Sequence, residues 1–223
     1  MTKLLITGTD TNVGKTIFTS CLVASRLQNY PKASIGLMKL MQTGIGDRQL
    51  YQELFAHFPQ VEIVTPLEFS APVAPPIAAD LEGREVDLAL VWQSFSKLLE
   101  SKDFVVVEAI GGLGTPITHE LTVADLARDW RLPTILVVPV QLGAIAQTVA
   151  NVMYARAVEV NLRGIVLSCL TPDATAQLNN WTPIDLIESL TQMPVLGIIP
   201  YLTTSKDLEV LARVATDFET KFA

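Results

Sequence analysis

A doubly wound α/β fold, with a mostly parallel sheet and helices on both faces, is what this sequence predicts. Three observations carry that prediction. Short apolar runs recur along the 223 residues, separated by segments long enough to hold a helix. Most of the runs are apolar at nearly every position, as strands covered on both faces are. The residues able to do chemistry gather just after the runs, at the carboxyl strand ends where ligands of such sheets sit.

In chain order, "KLLIT" (Lys3–Thr7) is the first strand, and Gly14–Leu27 the first helix. "SIGLM" (Ser34–Met38) is the second strand, followed by helices at Asp47–Phe58 and Asp87–Glu100. "FVVVEA" (Phe104–Ala109) leads to a helix at Thr122–Asp129, and "TILVV" (Thr134–Val138) to one at Ala144–Val160. "RGIVLS" (Arg163–Ser168) precedes a helix at Pro183–Thr191, and "VLGIIP" (Val195–Pro200) precedes one at Asp207–Phe218. Asp87 and Asp207 suit N-caps or first-turn acids, and Pro183 suits a first helical turn, where its missing N–H costs nothing. No repeat, low-complexity tract or linker interrupts the pattern, so a single domain over residues 1–223 is the economical expectation.

Composition narrows the function. The chain is 49% hydrophobic and 17% charged, with a net charge of −7. It carries no run of lysines or arginines, which argues against nucleic acid or an anionic membrane as partner. The richest apolar stretch, "TILVVPVQLGAIAQTVANVMYA", is interrupted by Pro139, Gln141, Gly143, Gln147 and Asn151 and reads as strand, loop and helix, not a membrane span. Cys21 and Cys169 make neither a disulfide framework nor a metal motif, and the opening residues show no small-residue cleavage site; a reduced, cytoplasmic setting is expected.

The most specific stretch is "ITGTDTNVGKTIFTS", Ile6–Ser20. It ends in Gly-Lys-Thr between a strand and a helix, the context a P-loop needs. Five residues separate Gly8 from Gly14, one more than usual. In a P-loop the backbone N–H groups form an anion cradle at the helix N-terminus. Lys15 then reaches the β- and γ-phosphates of a nucleotide, and the Thr16 hydroxyl binds Mg²⁺. The bland alternative is a glycine turn that opens an ordinary helix.

Three further groups have two readings each. Lys39, just past the second strand, either snorkels to solvent or adds a second positive charge beside the P-loop. Glu108 ends a buried strand in "DFVVVEAIGGLGTP", where a carboxylate must be paired or metal-bound; it makes a Glu–Lys ion pair or holds Mg²⁺. Gly111 and Gly112 behind it allow close backbone approach to a ligand. Asp47, in "TGIGDRQL", caps a helix or supplies another Mg²⁺ ligand. His57 and His119 lack partner spacing and read as surface residues.

These clusters, in this order and over nearly the whole chain, resemble the ATP-dependent dethiobiotin synthetases. "GTDTNVGKT" matches the family's opening Gly-Thr-Asp-Thr followed by Val-Gly-Lys-Thr, so the odd glycine spacing looks like the family's own P-loop. "KLMQTG", "APVAPPIAA", "EAIGGL", "LPTILVVPVQLGAI" and "VLGIIPYL" match later family segments. The resemblance implies an enzyme of biotin biosynthesis that takes 7,8-diaminopelargonate, CO₂ (or bicarbonate) and ATP to dethiobiotin, ADP and phosphate. It runs through a carbamate and a carbamic–phosphoric anhydride.

Residue by residue, the resemblance implies that Lys15, Lys39 and Thr11 serve catalysis. Nucleotide binding falls to Asp10, Thr11, Asn12, Val13, Gly14, Lys15, Thr16, Ser168 and Pro200. Thr43, Lys39, Gly111, Gly143 and Ala144 hold substrate, and Thr16, Asp47 and Glu108 surround Mg²⁺. A homodimer is implied, with the substrate's carboxylate tail near the partner's Gln141–Gln147 loop. The chain departs from the family pattern at Leu40, Pro76, Ala109-Ile110, Gln141 and Ala146-Gln147. It departs again at Ser168-Cys169, where the family reads adenine with an Asn-Asp pair; a serine hydroxyl reads a base edge less rigidly than an amide. Two rival readings are a ParA/MinD-like ATPase switch and a related ATP-dependent amide-forming domain. The first is disfavoured because Thr9–Asn12 contains no extra lysine.

Overall fold

The computed structural model describes residues 2–219. Seven parallel strands form the main sheet in the order β4-β2-β6-β1-β7-β8-β9. They are β1 (Thr2–Gly8), β2 (Ile35–Lys39), β4 (Val61–Val64), β6 (Phe104–Gly112), β7 (Thr134–Pro139), β8 (Leu162–Ser168) and β9 (Val195–Ile199). A pair of two-residue strands, β3 (Gln42–Thr43) and β5 (Glu68–Phe69), lies apart. The six strands expected from the sequence are present; β4 is additional, and it takes the edge beside β2.

Alternation along each strand sorts the core into two faces. Leu4 and Ile6 of β1, Ile35 and Leu37 of β2, and Phe104 and Val106 of β6 pack on one side. There they meet α1 (Lys15–Asn29), α2 (Asp47–Phe55) and α10 (Leu208–Glu219) through Phe18, Leu22, Tyr51, Phe55, Leu211 and Phe218. Leu5, Met38, Val105, Val107 and Ala109 face the other way, onto α3 (Pro75–Leu81), α4 (Leu88–Ser101) and α5 (Val123–Asp129). Beyond β7, the strands β7 and β8 pack with α6 (Ala144–Ala157) and α9 (Ile184–Thr191). Each fully buried Leu, Ile or Phe contributes roughly 1.5–3 kcal/mol to this arrangement.

Local chemistry sets the helix ends. Asp87 accepts from Leu90 N at 2.9 Å and caps α4; Asp207 accepts from Glu209 N at 3.0 Å and caps α10. Helix α6 stops at Ala157, three residues short of expectation, because Glu159 turns left-handed at φ 64°. Helix α2 likewise ends at Phe55 and not at Phe58. The proline-rich "APVAPPIAA" leads into α3, which tolerates Pro75 and Pro76 because they occupy its first two positions. Two short helices, α7 (Pro172–Ala176) and α8 (Leu178–Trp181), complete the chain order between β8 and α9.

The topology places the site. Strand β1 is central, with β6 and β7 on its two sides, and the connections run to opposite edges of the sheet from there. The crevice at the carboxyl end of β1 is therefore a topological switch point. Segment Gly8–Gly14 fills it.

Candidate active site

The P-loop begins where β1 ends. A Cβ on Gly8 would lie 2.4 Å from Val13 Cγ2, so the loop folds back directly onto its own start. Asn12 sits at φ 56° and Gly14 at φ 98°, two left-handed residues that turn the chain into α1. No side chain caps α1, and its first turn holds no acid. Its N-terminal N–H groups and the positive end of its dipole are thus left for an anion. The glycine at 112 has a related job: a Cβ there would lie 2.8 Å from Gly8 O, so β6 can approach the loop only without a side chain.

Sheet register supplies the charges. Lys39 of β2 and Glu108 of β6 are direct cross-strand partners, so their side chains leave the sheet on one face. Lys39 Nζ donates to Glu108 Oε1 at 2.6 Å and Ala109 O at 3.3 Å and lies 2.5 Å from Asp47 Oδ2. Thr16 Oγ1 is 2.7 Å from Asp47 Oδ1 and 3.1 Å from Glu108 Oε1. Lys15 Nζ donates to Asp10 O at 2.8 Å, which curls its side chain over the loop.

These groups open onto a cavity of about 230 Å³. Thr11, Asn12, Gly14, Lys15 and Thr16 line it from the P-loop, Lys39, Thr43 and Asp47 from one wall, and Gly111 from another. Glu108 lies beneath, fully buried. The fold therefore brings both lysines to one cavity. The snorkelling reading of Lys39 fails, since its side chain is 3% exposed.

Asp47 is not a helix cap; Gly46 holds that position, its N–H donating to Gln49 Oε1 at 3.0 Å, and the Asp47 carboxylate is free to turn toward Lys39 and Thr16. Asp10 folds onto its own loop by accepting from Thr11 N at 2.7 Å. Val13 is buried as packing.

Besides Asp10, Val13 and the buried Glu108, four more expected contributors are not among the residues lining this cavity. Gly143 and Ala144 stand at the start of α6, and Pro200 is exposed just past β9. Ser168 ends β8, where a Cβ on Gly14 would fall 2.3 Å from its hydroxyl. Its side chain therefore packs directly against the P-loop turn at Gly14. The lining also includes residues that the sequence reading did not assign: Gln42, Ile45, Gly46 and Ile110. Gln42 accepts from Arg48 N at 2.8 Å and donates to Gly44 O at 3.1 Å, which braces the Lys39–Asp47 loop. Tyr51, fully buried, donates to Glu108 Oε2 and was also missed.

Burial lowers the Lys15 pKa to about 8, with Lys39 adding to that effect and Glu108 opposing it. Burial works against the Lys39 charge as well, but Glu108 and Asp47 more than offset it and hold the ammonium above its ordinary range. Asp47 is likewise held low by Lys39 against the effect of burial. Both lysines are cationic at neutral pH.

The donor set fits a magnesium ion. One hydroxyl proton, on Thr16, faces two carboxylates at once, and it can serve only one of them fully. Hard oxygen donors of this kind, two carboxylates sharing one ammonium and one hydroxyl, suit Mg²⁺. Among the described residues no group of three or more His, Cys, Asp or Glu side chains forms a cage. Two carboxylates and a hydroxyl, completed by phosphate oxygens, match the way Mg²⁺ is held with nucleotides.

Comparison with known proteins decides the family. A profile described as an AAA domain matches residues 2–208. The ATP-dependent dethiobiotin synthetase BioD of Gloeothece citriformis is 53% identical over 98% of this chain and 97% of its own length. That of Synechocystis is 54% identical over 95% and 89%, and that of Bacillus subtilis 31% over 96% and 94%. This chain belongs to the ATP-dependent dethiobiotin synthetase family.

Among solved structures, a ParA family ATPase from Chlorobium tepidum superposes with a TM-score of 0.64 over 99% of this chain and 96% of that one, at 12% identity. The MinD cell division ATPase of Pyrococcus furiosus gives 0.63 over 99% and 98%, again at 12%. Dethiobiotin synthetase family membership thus comes with a fold shared by these ATPases, and the switch reading reduces to that distant likeness of fold. No helix among the described residues is long and apolar enough to cross a membrane.

Proposed function

We propose that this chain closes the ureido ring of dethiobiotin, using ATP to join 7,8-diaminopelargonate and CO₂ in biotin biosynthesis. The observation that carries the reading is the convergence of Lys15 and Lys39 on one cavity with Thr16, Asp47 and Glu108, in a chain with full-length relatives of that name.

Phosphoryl transfer needs positioning and charge neutralisation more than covalent help. The P-loop N–H groups and Lys15 bind the β- and γ-phosphates, and Lys39 supplies charge beside the phosphoryl group in transit. Thr16, Asp47 and Glu108 would hold Mg²⁺, whose charge would offset that of the phosphates. Thr11, Thr43 and the Gly111 backbone line the side where a carbamate would lie. The substrate carbamate oxygen attacks the γ-phosphorus while the β,γ-bridging bond breaks and ADP leaves. The second amine then attacks the carbamoyl carbon, the C–O bond to phosphate breaks, and the amine loses its proton as the ring closes.

The base end of ATP lies toward the carboxyl ends of β8 and β9. Pro200 and the exposed faces of Leu170 and Tyr201 offer an apolar shelf there, with no side-chain amide at 168 or 169. Two copies of the chain form the working unit, with the Gln141–Gln147 loop of one reaching the substrate tail in the other. The exposed Leu142 and Met153 support that face as the contact, and light scattering that finds only monomer at working concentration removes this part. One domain, working in the cytoplasm with its two free, buried cysteines reduced, completes the reading. The test of the activity is incubation with diaminopelargonate, bicarbonate, Mg²⁺ and ATP. Dethiobiotin and ADP in equal amounts by mass spectrometry support it; ADP without dethiobiotin overturns it.

A further inference from the structure

Glu108 has two carboxylate oxygens with different neighbours. Oε1 faces Lys39 and Thr16, at 2.6 and 3.1 Å. Oε2 accepts from the Tyr51 hydroxyl, and both side chains are fully buried. Tyr51 is four residues after Asp47, so the two lie one turn apart on the same face of α2. Through this face the helix touches the charge cluster twice: Asp47 meets Lys39 and Thr16 at the cavity wall, and Tyr51 reaches below it to Glu108.

We propose that Tyr51 is a positioning residue for magnesium. By occupying Oε2 it fixes the rotation of the Glu108 carboxylate and keeps Oε1 turned toward Thr16 and the metal position. By tying α2 to β6 it holds Asp47 at a set distance from Glu108. Groups that hydrogen-bond a metal-ligating carboxylate from behind orient it, and their loss weakens metal binding. The inference rests on the reading of this cavity as a magnesium–nucleotide site.

The test is Tyr51→Phe, which keeps the ring and its packing and removes only the hydroxyl. Mn²⁺, a hard ion with similar oxygen ligands, is titrated into protein loaded with a non-hydrolysable ATP analogue and followed by electron paramagnetic resonance. The expected result is Mn²⁺ affinity weakened about 10- to 100-fold, with affinity for the analogue in EDTA unchanged because Lys15 and the P-loop are intact. A folded Y51F protein that binds Mn²⁺ within about twofold of wild type overturns the inference while leaving the site assignment standing. A wild-type protein in which nucleotide and Mn²⁺ do not bind together overturns both. If Y51F does not fold, the comparison moves to Glu108→Gln and the E108Q/Y51F double variant, which lacks the stranded buried charge. Equal Mn²⁺ affinity in those two supports action through Glu108, and a further loss in the double variant overturns it.

Discussion

Replacing Lys39 by methionine tests how the charge cluster is balanced. The side chain keeps similar length and packing but takes the hydrogen-bonded ammonium from a carboxylate, Glu108, that is fully buried. Removing one partner of a buried pair costs about 3–5 kcal/mol, because the other charge stays behind uncompensated. The Tyr51 and Thr16 hydroxyls still donate to Glu108, and the Asp47 side chain is 36% exposed and can rehydrate, so the lower end applies, about 3 kcal/mol. For a chain of this size that lowers the midpoint of thermal unfolding by about 6–12 °C.

Magnesium should reverse much of the loss. With Lys39 gone, the oxygens of Asp47 and Glu108 are released to a metal, and magnesium at about 100 times its Kd returns about 2.7 kcal/mol. In wild type the lysine already holds those oxygens, so the stabilisation by magnesium without nucleotide is smaller. The assay is urea or thermal unfolding of both proteins by circular dichroism, in EDTA and in magnesium. A K39M protein as stable as wild type in EDTA refutes the buried-pair argument. Destabilisation that magnesium does not relieve refutes the claim that Lys39 and the metal share ligands.

Three other expectations follow from the same geometry. Lys15→Ala lowers turnover by at least about 10²–10³-fold, since its charge acts mainly on the developing phosphate charge; steady-state ADP release checks this, and near-wild-type turnover contradicts it. Nucleotide affinity depends on pH through Lys15: free, it titrates at about 8, and bound phosphate raises its pKa, so affinity is level below that pH and falls by up to about tenfold per unit above it. A binding titration that stays flat into the alkaline range contradicts this. Discrimination among nucleoside triphosphates should be loose, because positions 168 and 169 carry a serine and a cysteine and no side-chain amide; a strong preference for ATP over CTP and GTP in kcat/KM sinks that expectation.

The six long parallel strands were legible because burial on both faces makes continuous apolar runs. Strand β4 was not: "VEIV" is four residues, partly exposed at the sheet edge, and its glutamate breaks the run. The two-residue strands β3 and β5 have no periodicity to read. Helix α3 was hidden by prolines that signal a loop everywhere except at a helix start.

At the site, the P-loop and the Lys39–Glu108 pair were visible as charged residues at strand ends. Their juxtaposition depends on in-register pairing of β2 with β6, which no local pattern specifies. Tyr51 reads as an ordinary core aromatic on an amphipathic helix, and only its four-residue offset from Asp47 hinted at more. The packing of Ser168 against Gly14 joins a strand end to a loop over 150 residues away and needed the fold.

The central claim is that ATP phosphorylates a carbamate oxygen in the cavity between Lys15 and Lys39. Oxygen-18 in the CO₂ supply tests it most directly, because ring closure expels phosphate together with the carbamate oxygen that attacked phosphorus. The account predicts one labelled oxygen in each phosphate released along with dethiobiotin. Phosphate carrying no label while dethiobiotin accumulates contradicts it.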